Sequence, residues 1–116
     1  MNITGTIIDG LGEGAAYVKR YHAGLKASLG FDPYPGTLNI KVSSVPEFRF
    51  SREVPSPGKG LFAVSAVPAC ISDSIEGAII RPKKTSHGSN IMEVIAPIHI
   101  KTALQVKAGD QLTVSI

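Results

Sequence analysis

Two apolar runs decide the fold: Leu61-Phe62-Ala63-Val64-Ser65-Ala66-Val67 and Ile75-Glu76-Gly77-Ala78-Ile79-Ile80. Each is too short for a helix that stands on its own and contains β-branched residues, so each reads as a strand. Ser72-Asp73-Ser74 lies between them with the residue types of a tight turn, which makes the pair a hairpin. Cys70, in the apolar stretch leading to that turn, reads as a small buried residue.

Further strands follow on both sides. Thr37 to Val42 alternates, with Leu38, Ile40 and Val42 on one face and Thr37, Asn39 and Lys41 on the other. Ile91 to Ile95 is a strand that Ala96-Pro97 breaks, and Gln111 to Ile116 is a last strand after the turn Ala108-Gly109-Asp110. Ile3 to Ile8 is the first, with Gly5 predicting a bend. Phe48 and Phe50 mark another short strand. Only Ala15 to Leu29 has convincing helical spacing, through Val18, Tyr21, Leu25 and Leu29, and Gly30 is placed as its C-terminal cap. Gly24 weakens that helix by about 1 kcal/mol relative to alanine. Ile98 to Leu104 has room for one or two helical turns. Six or seven short strands with one early helix predict a small closed barrel, which hides their edges.

Composition agrees. A chain of 116 residues with 43% apolar residues supports one compact core. Charged residues are only 18%, against a disordered or coiled-coil chain, and 12 glycines and 8 prolines imply many turns. No apolar run reaches the roughly 18 residues of a membrane helix. The start lacks a signal peptide's character, which predicts a cytoplasmic protein. One cysteine excludes an internal disulfide. A net charge of +3 is mild for nucleic acid and suits a small anionic ligand.

Four constellations offer chemistry. Gly10-Leu11-Gly12-Glu13-Gly14 sits between a strand and a helix. Its backbone amides could approach a phosphate at the helix N-terminus, or it is a flexible turn. Thr37 and Asn39, two apart on a strand, could complete a Mg²⁺ shell whose charge is balanced by a nucleotide, or form a plain polar face. Arg81-Pro82-Lys83-Lys84-Thr85-Ser86-His87 could meet phosphates or be a solvated loop. Glu93, alternating with Met92 and Val94, faces either water or a specific donor. His22, His87 and His99 have no visible catalytic or metal partner at ligand spacing.

In order, Gly10–Gly14, the run Gly30-Phe31-Asp32-Pro33-Tyr34-Pro35-Gly36-Thr37-Leu38-Asn39, then Gly77–Thr85 with His87, Glu93–Pro97 and Gly109-Asp110 closely resemble the archaeal CTP-dependent riboflavin kinases. The resemblance covers about residues 3 to 116. It implies a mainly β, six-stranded cradle-loop barrel with one inserted helix, and transfer of the CTP γ-phosphoryl group to the riboflavin 5′-hydroxyl to give FMN and CDP. It implies that residues 1–116 are a single catalytic domain without the winged-helix domain some members carry. By matching motif, Gly10, Leu11, Gly12, Glu13, Gly14 and Ala15 would wrap the nucleotide phosphates, and Ile98, His99, Ile100 and Lys101 would line the cytosine side. Thr37 and Asn39 would hold Mg²⁺. Thr85 and Glu93 would contact the flavin. Phosphoryl transfer does not require a strong general base; if one acts, it is Glu93, on the flavin side where the hydroxyl must lie, or else Asp9. Lys101 stands where relatives often carry arginine, and a lysine lacks arginine's planar fork. Ala15-Ala16 is smaller than the pair in some relatives.

The implied partners are riboflavin and CTP, with no nucleic acid, no membrane and a monomeric chain. Two other readings remain on the residues alone. A DNA-binding barrel would show steep salt dependence, and a flavin carrier would bind flavin without consuming CTP.

Overall fold

The computed structural model describes residues 1–10, 12–43, 48–82 and 90–116. Its elements are β1 (Asn2–Ile8), α1 (Gly14–Leu29), β2 (Leu38–Lys41), β3 (Arg52–Val54), β4 (Val64–Ile71), β5 (Ile75–Pro82), β6 (Ile91–Ile95), α2 (Ile100–Leu104) and β7 (Gln111–Ser115). Six strands close an antiparallel barrel in the order β4-β5-β6-β2-β1-β7. The closing seam is short: Cys70 faces Ser115 and Ile71 faces Val114, and the Ser72 amide donates to the Thr113 carbonyl at 2.8 Å. β3 pairs the other half of the same β4 edge, with Val54 opposite Val64.

The hairpin forms where expected, but its first strand is shifted. β4 runs from Val64 to Ile71, not Leu61 to Val67. Pro68 lies between the stretch of the edge held by β3 and the stretch held by β7. There it has a strand on one side only, a setting that accommodates a residue without an N–H. The turn places Ser72 and Asp73 at φ 51° and 58° and is closed by the Ser74 amide on the Ile71 carbonyl at 3.1 Å. Turns with both central residues at positive φ match the twist of paired strands. Cys70 is half-buried, correcting the expectation that it is interior, because its neighbours Ala69 and Ile71 take the buried positions. Phe48 and Phe50 form no strand. Their rings tilt against each other at 4.9 Å and pack on the barrel core, and the strand follows at β3.

Two apolar layers result. Leu38, Ile40, Val42, Ile79, Met92 and Val94 fill the barrel with Ile3, Ile7, Ile71, Leu112 and Val114. Outside it, α1 lays Val18, Tyr21 and Leu25 on Val54, Val64, Ala66, Ala78, Ile80 and Ile95. β5 therefore buries both faces, which is why it reads as an almost unbroken apolar run. Burying Val18 and Leu25 stabilises the helix by roughly 2 kcal/mol each. Gly24 has a packing reason: a Cβ there would lie 2.7 Å from Val54 Cγ1. Gly5 is likewise a close approach inside a continuous strand, not a bend, since a Cβ would lie 2.6 Å from Ile40 Cγ2. Gly30 ends α1 at φ 81°, its amide on the Lys26 carbonyl. Asp32 then pairs with His22 at 3.2 Å and Lys26 at 3.3 Å, so His22 holds the turn after the helix. Among the described residues, no helix is long and apolar enough to cross a membrane.

Candidate active site

Strand alternation puts Asn39 on the outer wall of the barrel, because Leu38 and Ile40 point inward. Glu93 shares that wall, since Met92 and Val94 are interior. In the β2–β6 ladder Asn39 stands directly opposite Glu93, so the two side chains are neighbours. Asn39 is 4% exposed and is the one buried polar side chain among the described residues. Its Oδ1 is buried without a hydrogen-bond partner there. A buried carbonyl oxygen left unpaired carries a cost of about 1–3 kcal/mol, so such a position calls for a ligand or other explanation.

The glycine loop folds down onto this wall. A Cβ on Gly10 would fall on Asn39 Nδ2, and one on Gly14 would lie 2.6 Å from Thr37 Oγ1. Glycine is thus required by proximity at both ends of the loop. Gly12 between them sits at φ 81°, with open space around it. Glu13 is the residue before α1 and makes no side-chain cap. The Tyr17 amide donates to the Glu13 carbonyl at 3.0 Å, which leaves the amides of Gly14, Ala15 and Ala16 without acceptors one turn back. The first turn carries no acidic residue. A 16-residue helix with free amides at its start, beside exposed Gly10 and Gly12, favours an anion.

Thr37 also opens onto a cleft of about 240 Å³ lined by Tyr34, Gly36, Ala96, His99 and Lys101 among others. Ile98 and Ile100 line it as well, Ile98 exposed and Ile100 buried. The Tyr34 amide donates to the Ala96 carbonyl at 2.8 Å, which holds the cleft's two walls together. The Tyr34 and His99 rings lie 5.2 Å apart, tilted by 44°, and His99 Nδ1 lies 2.6 Å from Thr102 Oγ1. Lys101 Nζ reaches toward Asp9 Oδ1 at 3.9 Å, linking α2 to the start of the glycine loop. Asp9 is largely exposed and directed at a cation.

The structure therefore brings Gly10 against Asn39 and Gly14 against Thr37, sets Glu93 opposite Asn39, and adds the Ile98–Lys101 segment beside Thr37, while Gly12 meets no other residue and Glu13 and Ala15 flank Gly14 in sequence. Leu11 and Thr85, with Lys83, Lys84 and His87, lie outside the described residues. Sequence reasoning passes over Tyr17. Its ring stacks on Tyr21 with centroids 4.6 Å apart, and its hydroxyl is buried with no hydrogen-bond partner among the described residues. Burial pushes its pKa well above the usual tyrosine value, and the neighbouring Tyr21 and the Glu93 charge add to the effect. The signal was the Tyr17–Tyr21 pair, one helical turn apart and directly after the glycine loop.

Thr37 and Asn39 offer neutral oxygens, and the buried, unpaired Asn39 Oδ1 suits a hard divalent cation whose other ligands come from phosphate and water. No group of three or more His, Cys, Asp or Glu at metal-binding distance occurs among the described residues.

A family model, CTP-dep_RFKase, described as domain of unknown function DUF120, matches residues 7–116. The riboflavin kinase of Pyrococcus abyssi is 40% identical over 124 residues, covering 98% of this chain and 58% of that protein. The riboflavin kinase of Aeropyrum pernix is 35% identical over 118 residues, covering 93% of this chain and 89% of that protein. That of Pyrobaculum aerophilum is 37% identical across the whole chain and 60% of its own length. The chain thus spans a little under three fifths of the Pyrococcus relative. The match takes in α1 and every barrel strand but the greater part of β1, and the chain belongs to the family of CTP-dependent riboflavin kinase domains.

Proposed function

We propose that residues 1–116 act as a catalytic domain that transfers the γ-phosphoryl group of CTP to the riboflavin 5′-hydroxyl. The products are FMN and CDP. One observation carries the reading: the glycine loop and helix start, which suit phosphates, close directly onto Asn39 and Thr37, with Glu93 beside Asn39.

Each part then has a task. The amides of Gly10 to Ala15 bind the phosphates and hold them in line. The segment Ile98 to Lys101 flanks the cytosine, and Lys101 adds positive charge near the phosphates. Thr37 and Asn39 would hold Mg²⁺, which neutralises charge on the phosphates when bound. Glu93 receives the proton of the attacking hydroxyl as its oxygen bonds to the γ-phosphorus and the bond to the β–γ bridging oxygen breaks. Thr85 contacts the flavin alongside Glu93. Phosphoryl transfer proceeds through a loose transition state, so positioning and charge neutralisation supply most of the rate. A half-buried carboxylate and a set of backbone amides are sufficient machinery for it.

The test is a chromatographic assay of FMN formed from riboflavin and Mg²⁺ with either CTP or ATP. FMN from CTP alone is expected. FMN from ATP alone would keep a kinase and overturn the assignment of the cytosine cleft. Flavin binding with no FMN from any nucleotide would make the chain a flavin carrier.

A further inference from the structure

The side chain of His99 is held from two directions. Its Nδ1 lies 2.6 Å from Thr102 Oγ1, and its ring tilts against that of Tyr34 with centroids 5.2 Å apart. We propose that Thr102 is a positioning residue: its hydroxyl fixes His99 as the Nε2–H tautomer, and that N–H selects a nucleobase whose facing ring nitrogen accepts a hydrogen bond. This rests on the reading above, in which Ile98 to Lys101 flank the base of the nucleotide.

The length of the hydrogen bond gives its sense. N–H donors sit about 2.7–3.2 Å from an oxygen acceptor, whereas hydroxyl donors approach to about 2.5–3.0 Å. A contact of 2.6 Å has the Thr102 hydroxyl as donor and Nδ1 as acceptor. That sense also satisfies both groups with one bond. The reverse would turn the hydroxyl proton out to solvent, since His99 is the partner of Thr102 Oγ1 among the described residues. A neutral imidazole carries one N–H, and the bond made by one ring nitrogen decides the state of the other. With Nδ1 accepting, the proton resides on Nε2.

Placement gives this tautomer a task. His99 precedes α2 and Thr102 is its third residue, a spacing that brings the two side chains to one side of the turn. The Ala103 amide closes on the His99 carbonyl at 3.0 Å, so α2 carries both residues as a unit. His99 and Tyr34 line the cleft of about 240 Å³, and Thr102 stands behind His99, outside that lining. Nδ1 is taken up by Thr102, which leaves Nε2 as the ring nitrogen for a ligand. The cleft is smaller than the roughly 300–1,000 Å³ of sites that enclose a drug-sized ligand, so it takes a single ring. Cytosine presents an unprotonated N3 and a carbonyl oxygen, both acceptors. Uracil carries hydrogen on N3, which would meet Nε2–H donor to donor. A site built around a polar contact rejects the ring that cannot complete it.

The test compares the full chain with Thr102→Val, which drops the hydroxyl at nearly the same shape, and Thr102→Ser, which keeps it. Nitrogen NMR of the imidazoles in slightly alkaline buffer reads the tautomer, with His99 assigned by its loss in His99→Ala. Wild type and Thr102→Ser should show Nε2–H, and Thr102→Val a mixture of both forms. Calorimetry with Mg²⁺ then gives the preference for CDP over UDP. That preference should fall roughly 3–10-fold in Thr102→Val and return in Thr102→Ser. The kcat for FMN at saturating CTP should stay within about twofold in both, which places the effect in KM. An Nδ1–H tautomer in wild type would overturn the proposal, as would a CDP preference that Thr102→Val leaves unchanged. A CDP preference set by Thr102 in a chain that forms no FMN would overturn the kinase reading and support this one.

Discussion

Asn39 and Glu93 face each other across two antiparallel strands, a buried carboxamide beside a half-buried carboxylate on the outside of a barrel. The Asn39 oxygen has nothing to lose in the protein itself, since it makes no hydrogen bond among the described residues. Asn39→Ala should therefore cost less than about 1 kcal/mol of stability by denaturant melts. The same change should reduce kcat/KM for riboflavin phosphorylation by roughly 100-fold, the scale of losing one stabilising contact to developing charge. Thr37→Ala should act in the same direction, and both variants should need more Mg²⁺ for half-maximal rate. Wild-type rates in both would remove the metal assignment.

Glu93→Gln keeps shape and removes the charge. Its kcat should fall roughly 100-fold or more, as for loss of a positioned base, with CDP affinity retained. Asp9→Asn should leave kcat within about twofold, because Asp9 is exposed and turned toward Lys101. Unchanged kinetics in Glu93→Gln would exclude it as the base.

Gly10 and Gly12 separate steric from backbone demands. Gly10→Ala places a methyl on the Asn39 amide, so the loop must lift and the KM for CTP should rise at least about tenfold. Gly12→Ala meets nothing but must hold φ 81°, which costs about 1–2 kcal/mol in that loop. It should weaken CTP binding less than Gly10→Ala does.

Gly24→Ala should destabilise the protein despite alanine's higher helix propensity. The added methyl would press on Val54 Cγ1 at 2.7 Å, and overpacking of this kind costs about 1–3 kcal/mol. A lowered melting temperature checks it; a raised one would mean that α1 can slide off β3.

Tyr17 adds a pH dependence. Its folded pKa lies above the ordinary tyrosine value of about 10. The native state therefore holds its proton where the unfolded chain releases it. Its contribution to stability is complete below about pH 10 and declines as pH rises beyond that. Tyr17→Phe should flatten this alkaline loss in urea melts between about pH 9 and 11. An equal loss in wild type and variant would show that Tyr17 is not its source.

Much of this was legible beforehand. The alternation around Asn39 and around Met92-Glu93-Val94 assigned inner and outer faces correctly, because each strand has one face in a closed barrel and period two is then unambiguous. The glycine loop, Thr37 and Asn39 were marked by residue type. Their mutual contact was not, since it depends on how β1, β2 and α1 meet in space. Tyr17 was hidden because a tyrosine on a helix ordinarily belongs to the core, and Tyr21 does. The bounds of β4 failed at Pro68, where a usual strand breaker is tolerated by a gap in the neighbouring pairing.

The two ends of the chain are bonded to each other: the Met1 ammonium donates to the Ile116 carbonyl at 2.8 Å and the Ile116 amide returns to the Met1 carbonyl at 2.9 Å. β1 carries the chain from that point to the glycine loop over seven residues, a distance of roughly 23 Å at the rise of a strand. Anything fused to either end of this chain thus emerges at one spot, a strand's length from Gly10. A reporter protein, an affinity handle or a surface tether attached there leaves the working end facing outward, whichever terminus carries it. A short peptide joining the two would turn the barrel into a ring whose new ends can be opened at Ser72-Asp73-Ser74.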